Sequence, residues 1–435
     1  METLSLDNKV SIETFGRRNI LTILLCMIFN IVDGFDITAM AIAAVSIGEE
    51  MQIDAAQLGL VFSFSLAGMM AGATLLAPYS DIIGRRRTII VSLLVIGATV
   101  LLTAFVSSLI PLITLRFISG LGAGVLLATQ TALAAEYSPA KYRALAVTAV
   151  TAGYPMGAMM TGLVASSVMP DYGWRGLFLG GGAVTLLMAV VAIKYIPESI
   201  QFLFHQQPPN ALAKINRIFA QLRQPSIKAL PAKSQSHQSV SVVANMKSLL
   251  AQPYKKQTLM LWLIFLLSIS SLYFLMSWIP KLILLNGFSK PTAYLAFTLF
   301  NMGGVVGIFS LGFFAAILPL RSLVSAYLLL ASFLMVIFSI LPSVEKYQLI
   351  IIFIIGLTQQ GGYVGIYAMA AKLYPTHLRG TGVGWAIGIG RFGAVIGPAI
   401  AGYMIAMGVS VAMNFVVFAL PLGLAGVIAL KIKTD

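Results

Sequence analysis

Long apolar runs of about 20 residues recur along the whole chain, separated by short polar turns. At about 1.5 Å of rise per residue, a helix of that length crosses a hydrocarbon core of roughly 30 Å. The runs are continuous rather than alternating, which favours helices over the strands of a membrane barrel. The pattern predicts twelve membrane-spanning helices, at residues 20–45, 58–78, 88–108, 111–134, 145–167, 175–196, 258–280, 292–315, 322–341, 347–370, 380–404 and 410–431.

A polar and basic stretch, residues 197–256, interrupts this pattern in the middle of the chain. Its QQPPN and SQSHQS segments are typical of a linker, whereas ALAKINRIFAQL is compatible with a short helix. The sequence therefore predicts three parts: a six-helix bundle over residues 1–196, a cytoplasmic central loop over 197–256, and a second six-helix bundle over 257–435.

Composition supports a membrane location. Of 435 residues, 59% are hydrophobic and 10% are charged, and the mean hydropathy is +0.93. Soluble domains are roughly 45–50% apolar and about 25% charged. We therefore expect an all-α membrane protein and exclude a water-soluble fold.

The net charge of +14 is distributed unevenly across the predicted spans. Most Lys and Arg residues fall in segments on the side of the N-terminus, and the loops of the other side contain only Arg175, Lys281, Lys290 and Lys346. Basic loops stay in the cytoplasm, so both termini are predicted to be cytoplasmic. Insertion and anionic lipid head groups account for this charge, and no nucleic-acid partner is predicted.

The two halves of the chain resemble each other. The segments AEYSPAKYRALAVT and AKLYPTHLRGTGVG superpose with an offset of 236, which aligns Pro139 with Pro375. Gly68 aligns with Gly303 at an offset of 235. An internal repeat of this size is typical of secondary transporters, and it predicts a binding site between the halves near the bilayer midplane.

A charged motif, DIIGRRR, lies in the turn between the second and third spans and supplies Asp81, Gly84, Arg85 and Arg86. One interpretation is an ordinary basic loop. The other is a conformational latch, in which these side chains pair with neighbouring helix ends in one state and release them in another. The motif resembles the corresponding loop of the major facilitator superfamily.

Two arginines fall within predicted spans. Arg116, in RFISGLGAG, resembles the fourth-span arginine of the same superfamily, and it either faces the interior or extends to the outer interface. Arg391 is about 11 residues into the eleventh span, roughly 16 Å deep. A lone arginine at that depth costs several kcal/mol, so it must meet an anion, which is either a ligand carboxylate or a partner on another helix.

Two acids lie in the first span, in NIVDGFDITAM. Asp33 and Asp36 are three residues apart and are therefore expected on one helix face. Burial and like charge both favour the protonated form of at least one of them. A group that exchanges a proton in this way is what proton coupling needs; a static ion pair with Arg116 is the alternative.

DGFD, together with DIIGRRR, AEYSP, GWR and GRFGAVIGP, resembles the aromatic acid:proton symporter family of the major facilitator superfamily. The resemblance implies a twelve-helix fold and proton-driven uptake of an aromatic or related carboxylate. It also implies roles for the acids of the first span, the arginines of the fourth and eleventh spans, and the loop between spans four and five, which are Asp33, Asp36, Arg116, Arg391, Glu136 and Arg143.

Aromatic and amide side chains within the spans are further candidates for substrate contact. Aromatic rings stack on rings, although packing and interface belts also explain such residues. A buried amide needs a hydrogen-bond partner. The candidates are Tyr273, Trp278, Tyr363, Tyr367, Trp385, Gln359 and Gln360.

These observations predict a proton-coupled secondary transporter of the bacterial inner membrane that imports an organic anion by alternating access. A proton-driven efflux antiporter, a sugar or sugar-acid symporter, and a receptor or channel are the alternatives. The sequence contains no GxxxxGK[ST] loop and no metal-ligand spacing of histidines. We therefore expect no enzyme activity and no cofactor beyond the proton. The lipid bilayer surrounds the protein, and the sequence indicates no obligate protein partner.

Overall fold

The computed structural model of the chain describes residues 16–222, 224–230 and 248–432, and all regular structure within them is helical. Six long helices precede the central segment: α1 Arg17–Met51, α2 Ala55–Ile83, α3 Arg85–Thr103, α4 Leu109–Glu136, α5 143–172 and α6 174–195. Six follow it: α7 Lys255–Leu285, α8 Lys290–Phe314, α9 Leu320–Ile340, α10 Glu345–Leu373, α11 Thr376–Ala406 and α12 Val411–Ala429.

Helices α5 and α6 form one helical segment, Arg143–Tyr195, of 53 residues. A straight helix of that length would extend about 80 Å, far beyond the thickness of a bilayer. Gly173 interrupts it with φ 63° and ψ −171°, a conformation that glycine adopts without steric cost. The segment therefore crosses twice, and the predicted number of twelve crossing helices is confirmed.

Close helix contacts confirm the internal repeat. A Cβ atom on Gly68 would lie 2.2 Å from the carbonyl oxygen of Phe117, and one on Gly303 would lie 2.1 Å from that of Phe353. Only glycine permits such an approach, so α2 packs on α4 in the way that α8 packs on α10. The aligned residues of the sequence therefore make equivalent contacts in the two halves.

The halves meet through three pairs of helices, α2 with α11, α5 with α8, and α1 with α7. We call the side where α1 begins the N-terminal face and the side where it ends the opposite face. The Ser63 hydroxyl donates to the Val395 carbonyl at 2.6 Å, and Lys290 pairs with Glu49 at 3.3 Å. Both contacts lie in the half of the molecule nearer the opposite face, where they hold the two bundles together.

The central segment contains the short helices Ile200–Gln206 and Ala211–Gln221. The second corresponds to the ALAKINRIFAQL segment, and its Ile215 and Phe219 side chains are buried. Residues 231–247, which include SQSHQS, lie outside the described residues. The division of the chain at residues 196 and 256 stays a prediction.

Candidate functional site

Asp33, near the middle of α1, is buried at the interface between the halves. Its side chain is 1% exposed, and neither carboxylate oxygen has a hydrogen-bond partner in the described part of the chain. The nearby charges that act on it are those of Asp36 and Arg391. An acid of the first half therefore lies within electrostatic range of the arginine of α11 in the second half.

Arg391 is only partly buried. Among residues 16–222, 224–230 and 248–432, no carboxylate lies within 4 Å of its guanidinium. Its charge acts on four tyrosines of α5, α7 and α10, namely Tyr154, Tyr273, Tyr363 and Tyr367. Arg391 thus has donors that no acid of the described chain pairs with.

The hydroxyl oxygens of Tyr363 and Tyr367, one turn apart on α10, are 2.5 Å from each other. Tyr154 projects from α5, and its buried hydroxyl lies close to that of Tyr273 on α7. The four phenols around Arg391 provide apolar ring faces and hydroxyl groups together. Such a surface suits a planar ring that carries polar substituents.

Asp36 lies in a different environment from Asp33, although three residues separate them. Three helical residues rotate the side chain by about 60° around the axis, which is enough to change its neighbours. Asp36 is fully buried and accepts a hydrogen bond from the Thr185 hydroxyl of α6 at 2.5 Å. Its charge interacts with that of Arg116. Asp36 therefore points into the first half.

Arg116 is 1% exposed and does not reach the outer interface. Its guanidinium donates to the Thr103 hydroxyl at 2.7 Å and lies 5.2 Å from the ring centroid of Phe178. These partners, like Asp36, belong to the first half. The structure brings Arg116 to Asp36 and not to the tyrosines around Arg391, so its predicted contact with substrate has no support in this arrangement.

A small cavity lies beside two of the tyrosines around Arg391, and neither Asp33 nor Arg391 is among its lining residues. Tyr154 and Tyr273 form part of its wall, and the charge of Asp33 acts on both side chains. The remaining lining residues come from α1, α2 and α7 and are Ile37, Thr38, Met40, Ala41, Phe62, Ser65, Leu66, Met276 and Ser277. The cavity therefore lies between the two halves, and its wall combines apolar side chains with the hydroxyl groups of five of its eleven lining residues.

Three other predicted contact residues serve helix packing in this structure. The Gln359 amide donates to the Ser268 carbonyl of α7 at 3.0 Å. The Gln360 amide donates to the Phe300 carbonyl of α8 at 3.5 Å. The fully buried Trp278 indole donates to the Pro398 carbonyl of α11 at 3.1 Å. Each of these bonds joins two helices of the second half.

Trp385 differs from those residues, because it is only partly buried. Its ring lies 6.2 Å from that of Trp262, with 33° between the ring planes. Two residues of the site were not predicted from the sequence, Tyr154 and Thr185. For Tyr154 a signal existed, because it is a large side chain within the small residues of TAGYPMGA. An ordinary threonine in an apolar helix gives no such signal.

The DIIGRRR motif forms a charged cluster at the N-terminal face. Arg85 pairs with Asp81 at 3.2 Å and with Glu136 at the end of α4. The Ser199 hydroxyl donates to Glu136 at 2.7 Å, and the Arg86 backbone N–H donates to the Glu198 carboxylate at 3.0 Å. The motif thus joins the ends of α2, α3 and α4 to the start of the central segment.

Gly84 makes this arrangement possible. Its φ of +100° is a conformation that other residues rarely adopt, and a Cβ atom there would lie 2.6 Å from a Glu198 carboxylate oxygen. Arg86 also donates to the Ile193 carbonyl at the end of α6, at 2.5 Å. Arg143, by contrast, is exposed at the start of α5 and lies outside this cluster. The latch role of these residues stays a prediction.

The Major Facilitator Superfamily profile matches residues 24–319 and 261–435. The chain is 30% identical to the 4-hydroxybenzoate transporter PcaK of Acinetobacter baylyi, over 94% of this chain and 90% of the relative. It is 30% identical to the gallate transporter of Pseudomonas putida, over 92% and 89% of the two chains. The benzoate transport protein of Acinetobacter baylyi is 27% identical, over 95% and 89%.

Solved structures show the same fold. The D-xylose-proton symporter has a TM-score of 0.73 and 14% identity, and the match covers 96% of this chain and 99% of that one. A bacterial homolog of the human lysosomal transporter Spinster, inward-facing and unoccupied, has a TM-score of 0.68 and 16% identity, with 96% of each chain covered. The chain belongs to the Major Facilitator Superfamily and is related over almost its whole length to that superfamily's aromatic acid transporters.

Proposed function

We propose that the protein imports an aromatic carboxylate together with protons. The observation that supports this most strongly is the proximity of Asp33 and Arg391 between the halves: the buried acid has no hydrogen-bond partner in the described chain, the charge of the arginine acts on it, and no acid lies within 4 Å of that arginine. The identity of the relatives named as 4-hydroxybenzoate, gallate and benzoate transporters points to the same class of substrate.

The guanidinium of Arg391 receives the substrate carboxylate, since arginine binds carboxylates through two parallel hydrogen bonds. The ring of the substrate then lies among Tyr154, Tyr273, Tyr363 and Tyr367. Their rings pack against it, and their hydroxyls pair with ring substituents. The apolar wall of the cavity excludes water from the remaining surface.

Charge balance explains the coupling. The site contains the buried carboxylates of Asp33 and Asp36, the buried guanidinium of Arg116 and the partly buried guanidinium of Arg391, so it is neutral when all four are ionised. A bound substrate anion adds one negative charge, and an uncompensated buried charge costs several kcal/mol. One proton on either acid restores neutrality. A site that holds both the anion and the proton can then pass through the closed state. A site that holds the anion without the proton cannot.

The contacts between the halves indicate which side of the molecule is closed. The Ser63–Val395 bond and the Lys290–Glu49 pair close the side opposite the N-terminus. With the N-terminal face in the cytoplasm, as its basic residues favour, this state releases substrate inward. Both termini are then cytoplasmic, and the membrane is the bacterial inner membrane. The Arg85–Glu136 cluster acts as a latch that reorganises when the halves rock.

Uptake into proteoliposomes tests the proposal. Labelled 4-hydroxybenzoate, gallate, benzoate and gentisate are supplied outside, with and without a pH gradient that is acidic outside. Protein-free liposomes correct for passive entry of the neutral acids. We expect accumulation of at least one acid above equilibrium, abolished by a protonophore. Protein-dependent accumulation of none of them, or accumulation that the protonophore leaves unchanged, would overturn the proposal.

A further inference from the structure

The hydroxyl group of Thr185 has two hydrogen-bond acceptors within reach. Its oxygen lies 2.5 Å from a carboxylate oxygen of Asp36 and 2.9 Å from the carbonyl oxygen of Gly181, one turn earlier on α6. The residue is 1% exposed, so water does not compete. A threonine hydroxyl carries a single hydrogen. It can therefore donate to only one of the two acceptors at a time.

Which acceptor it uses depends on the proton of Asp36. When the acid is ionised, the Thr185 hydroxyl donates to the carboxylate. When the acid is protonated, its own O–H donates to the Thr185 oxygen, and the threonine hydrogen turns to the Gly181 carbonyl. The hydroxyl keeps a partner in both states, so neither protonation state leaves it unsatisfied in a dry environment.

The rest of the Asp36 environment offers no second donor of this kind. Among the described residues, Thr185 provides the one side-chain hydrogen bond to Asp36, and the other carboxylate oxygen has none. The charged groups that face it are Arg116 from α4 and Asp33 from its own helix. Helix α6 leaves room for the carboxyl group, because a Cβ atom on Gly181 would lie 2.9 Å from its unpartnered oxygen.

We propose that Thr185 is a positioning residue for proton coupling, which lets Asp36 accept and release the transported proton within the first half, apart from the carboxylate bound at Arg391. The inference rests on the proposed proton-coupled function. It assigns different roles to the two acids of the DGFD motif. Asp33 interacts with the arginine that binds substrate, and Asp36 takes up and releases the proton beside a hydroxyl that can both donate and accept a hydrogen bond.

Removing the hydroxyl should change the pH dependence of transport. A hydrogen bond stabilises an ionised carboxylate more than it stabilises a protonated carboxyl group. Loss of the Thr185 hydroxyl therefore shifts the equilibrium of Asp36 toward its protonated form by about tenfold. The pH at which uptake falls to half its maximum on the alkaline side should then move upward by about one unit. Net uptake should slow, because the proton leaves less readily.

Three variants isolate this effect. Thr185→Val removes the hydroxyl at nearly constant volume, and Thr185→Ser keeps it. Thr129→Val is the matched control, because Thr129 is equally buried and, within the described part of the chain, its hydroxyl bonds only the Val125 carbonyl of its own helix, at 2.7 Å. Each protein is reconstituted, and uptake of the acid that the wild type accumulates fastest is measured against external pH. Exchange of internal for external substrate, which needs no net proton movement, is measured beside it.

We expect Thr185→Val to shift the uptake profile and to retain exchange, while Thr185→Ser and Thr129→Val follow the wild type. A wild type without proton-dependent uptake would overturn the proposed function and the inference together. If wild-type uptake depends on protons and Thr185→Val has the same pH profile of uptake as the wild type, the inference alone is overturned. Should Thr185→Val fail to fold, Thr185→Ala is used instead. The infrared carboxyl band of Asp36 is then measured in an Asp33→Asn background, where no band of Asp33 overlaps it. Thr185→Ala should move this band to higher frequency, and an unmoved band would contradict the inference.

Discussion

The two halves of the molecule share their helix packing and differ in their buried charge. Gly68 approaches Phe117 as Gly303 approaches Phe353. The first half, however, buries two acids and Arg116, whereas the fully buried polar residues of the second half are all uncharged within the described part of the chain. The helix packing is therefore repeated in the two halves, and the buried charged residues are not. Proton exchange belongs to the first half in this account, and anion binding belongs to Arg391 in the second.

The difference is clearest at one aligned position. Adding the repeat offset of 235 to Asp36 gives Ser271 on α7. The Ser271 hydroxyl donates to the Phe418 carbonyl of α12 at 2.8 Å, as Asp36 of α1 bonds Thr185 of α6. Both contacts join the first and last helices of a half. Only the one in the first half contains a group that titrates.

The largest effect is expected from removing that titrating charge. Asp33→Asn and Asp36→Asn should each reduce proton-driven accumulation to the level of protein-free liposomes: Asp36→Asn removes the group that carries the proton, and Asp33→Asn removes the negative charge that makes a proton necessary when the anion binds. Ser271→Ala, the aligned change in the second half, should retain accumulation. Uptake under an imposed pH gradient measures all three. Normal accumulation by both Asn variants would break the assignment of coupling to the first half.

The two arginines should respond differently. Arg391→Ala should raise the half-saturating substrate concentration about 10- to 100-fold, because it removes a charge-assisted bond to the carboxylate. Arg116→Lys should lower the maximal rate and leave that concentration within about threefold of the wild type, because a lysine still offers a charge beside Asp36 but not the same donor geometry. Concentration dependence of initial uptake separates the two. Equal loss of affinity in both variants would place Arg116 at the substrate.

The shared packing predicts equal damage in both halves. Gly68→Ala and Gly303→Ala each force a methyl group against a backbone carbonyl, and overpacking of this kind costs about 1–3 kcal/mol. Both variants should lower the unfolding temperature in detergent by similar amounts. Gly312→Ala is the control, because nothing lies within 4 Å of its added carbon. Unequal shifts for the aligned pair would show that the repeat is not equivalent in packing.

The smallest effect is expected at the exposed pair between the halves. Lys290 and Glu49 are separated by 3.3 Å, with side chains 48% and 62% exposed. Pairs of this kind contribute about 0–1 kcal/mol. Lys290→Ala should therefore change the uptake rate by less than about fivefold. A larger loss would mean that this pair, and not the buried contacts, governs closure of the opposite face.

The architecture could be predicted from the sequence because apolar run length and the aligned glycines each have a direct physical meaning. Twelve helices and the equivalence of Gly68 with Gly303 follow from them. The sequence predicts a loop between the spans at 145–167 and 175–196, because the charged GWR segment interrupts the apolar pattern, whereas the structure is helical there except at Gly173.

The site could be predicted only in part. The direction of a side chain depends on the rotation of its helix about the axis. The three-residue spacing predicts one helix face for Asp33 and Asp36. Only the fold reveals that Asp36 points to α6 and that Arg116 follows it. The sequence favours Gln359 as a contact because a buried amide needs a partner, and Trp278 because its ring can stack on another ring. In the structure, backbone carbonyls of neighbouring helices accept hydrogen bonds from both side chains.

The central claim is tested most directly by proton movement during uptake. Proteoliposomes that contain a pH-sensitive dye, with no imposed gradient, receive the acid that the wild type transports best. The account predicts that the lumen acidifies as substrate enters, and that Asp36→Asn abolishes this acidification beyond the passive signal of protein-free liposomes. Substrate uptake by the wild type without any protein-dependent proton entry would contradict it.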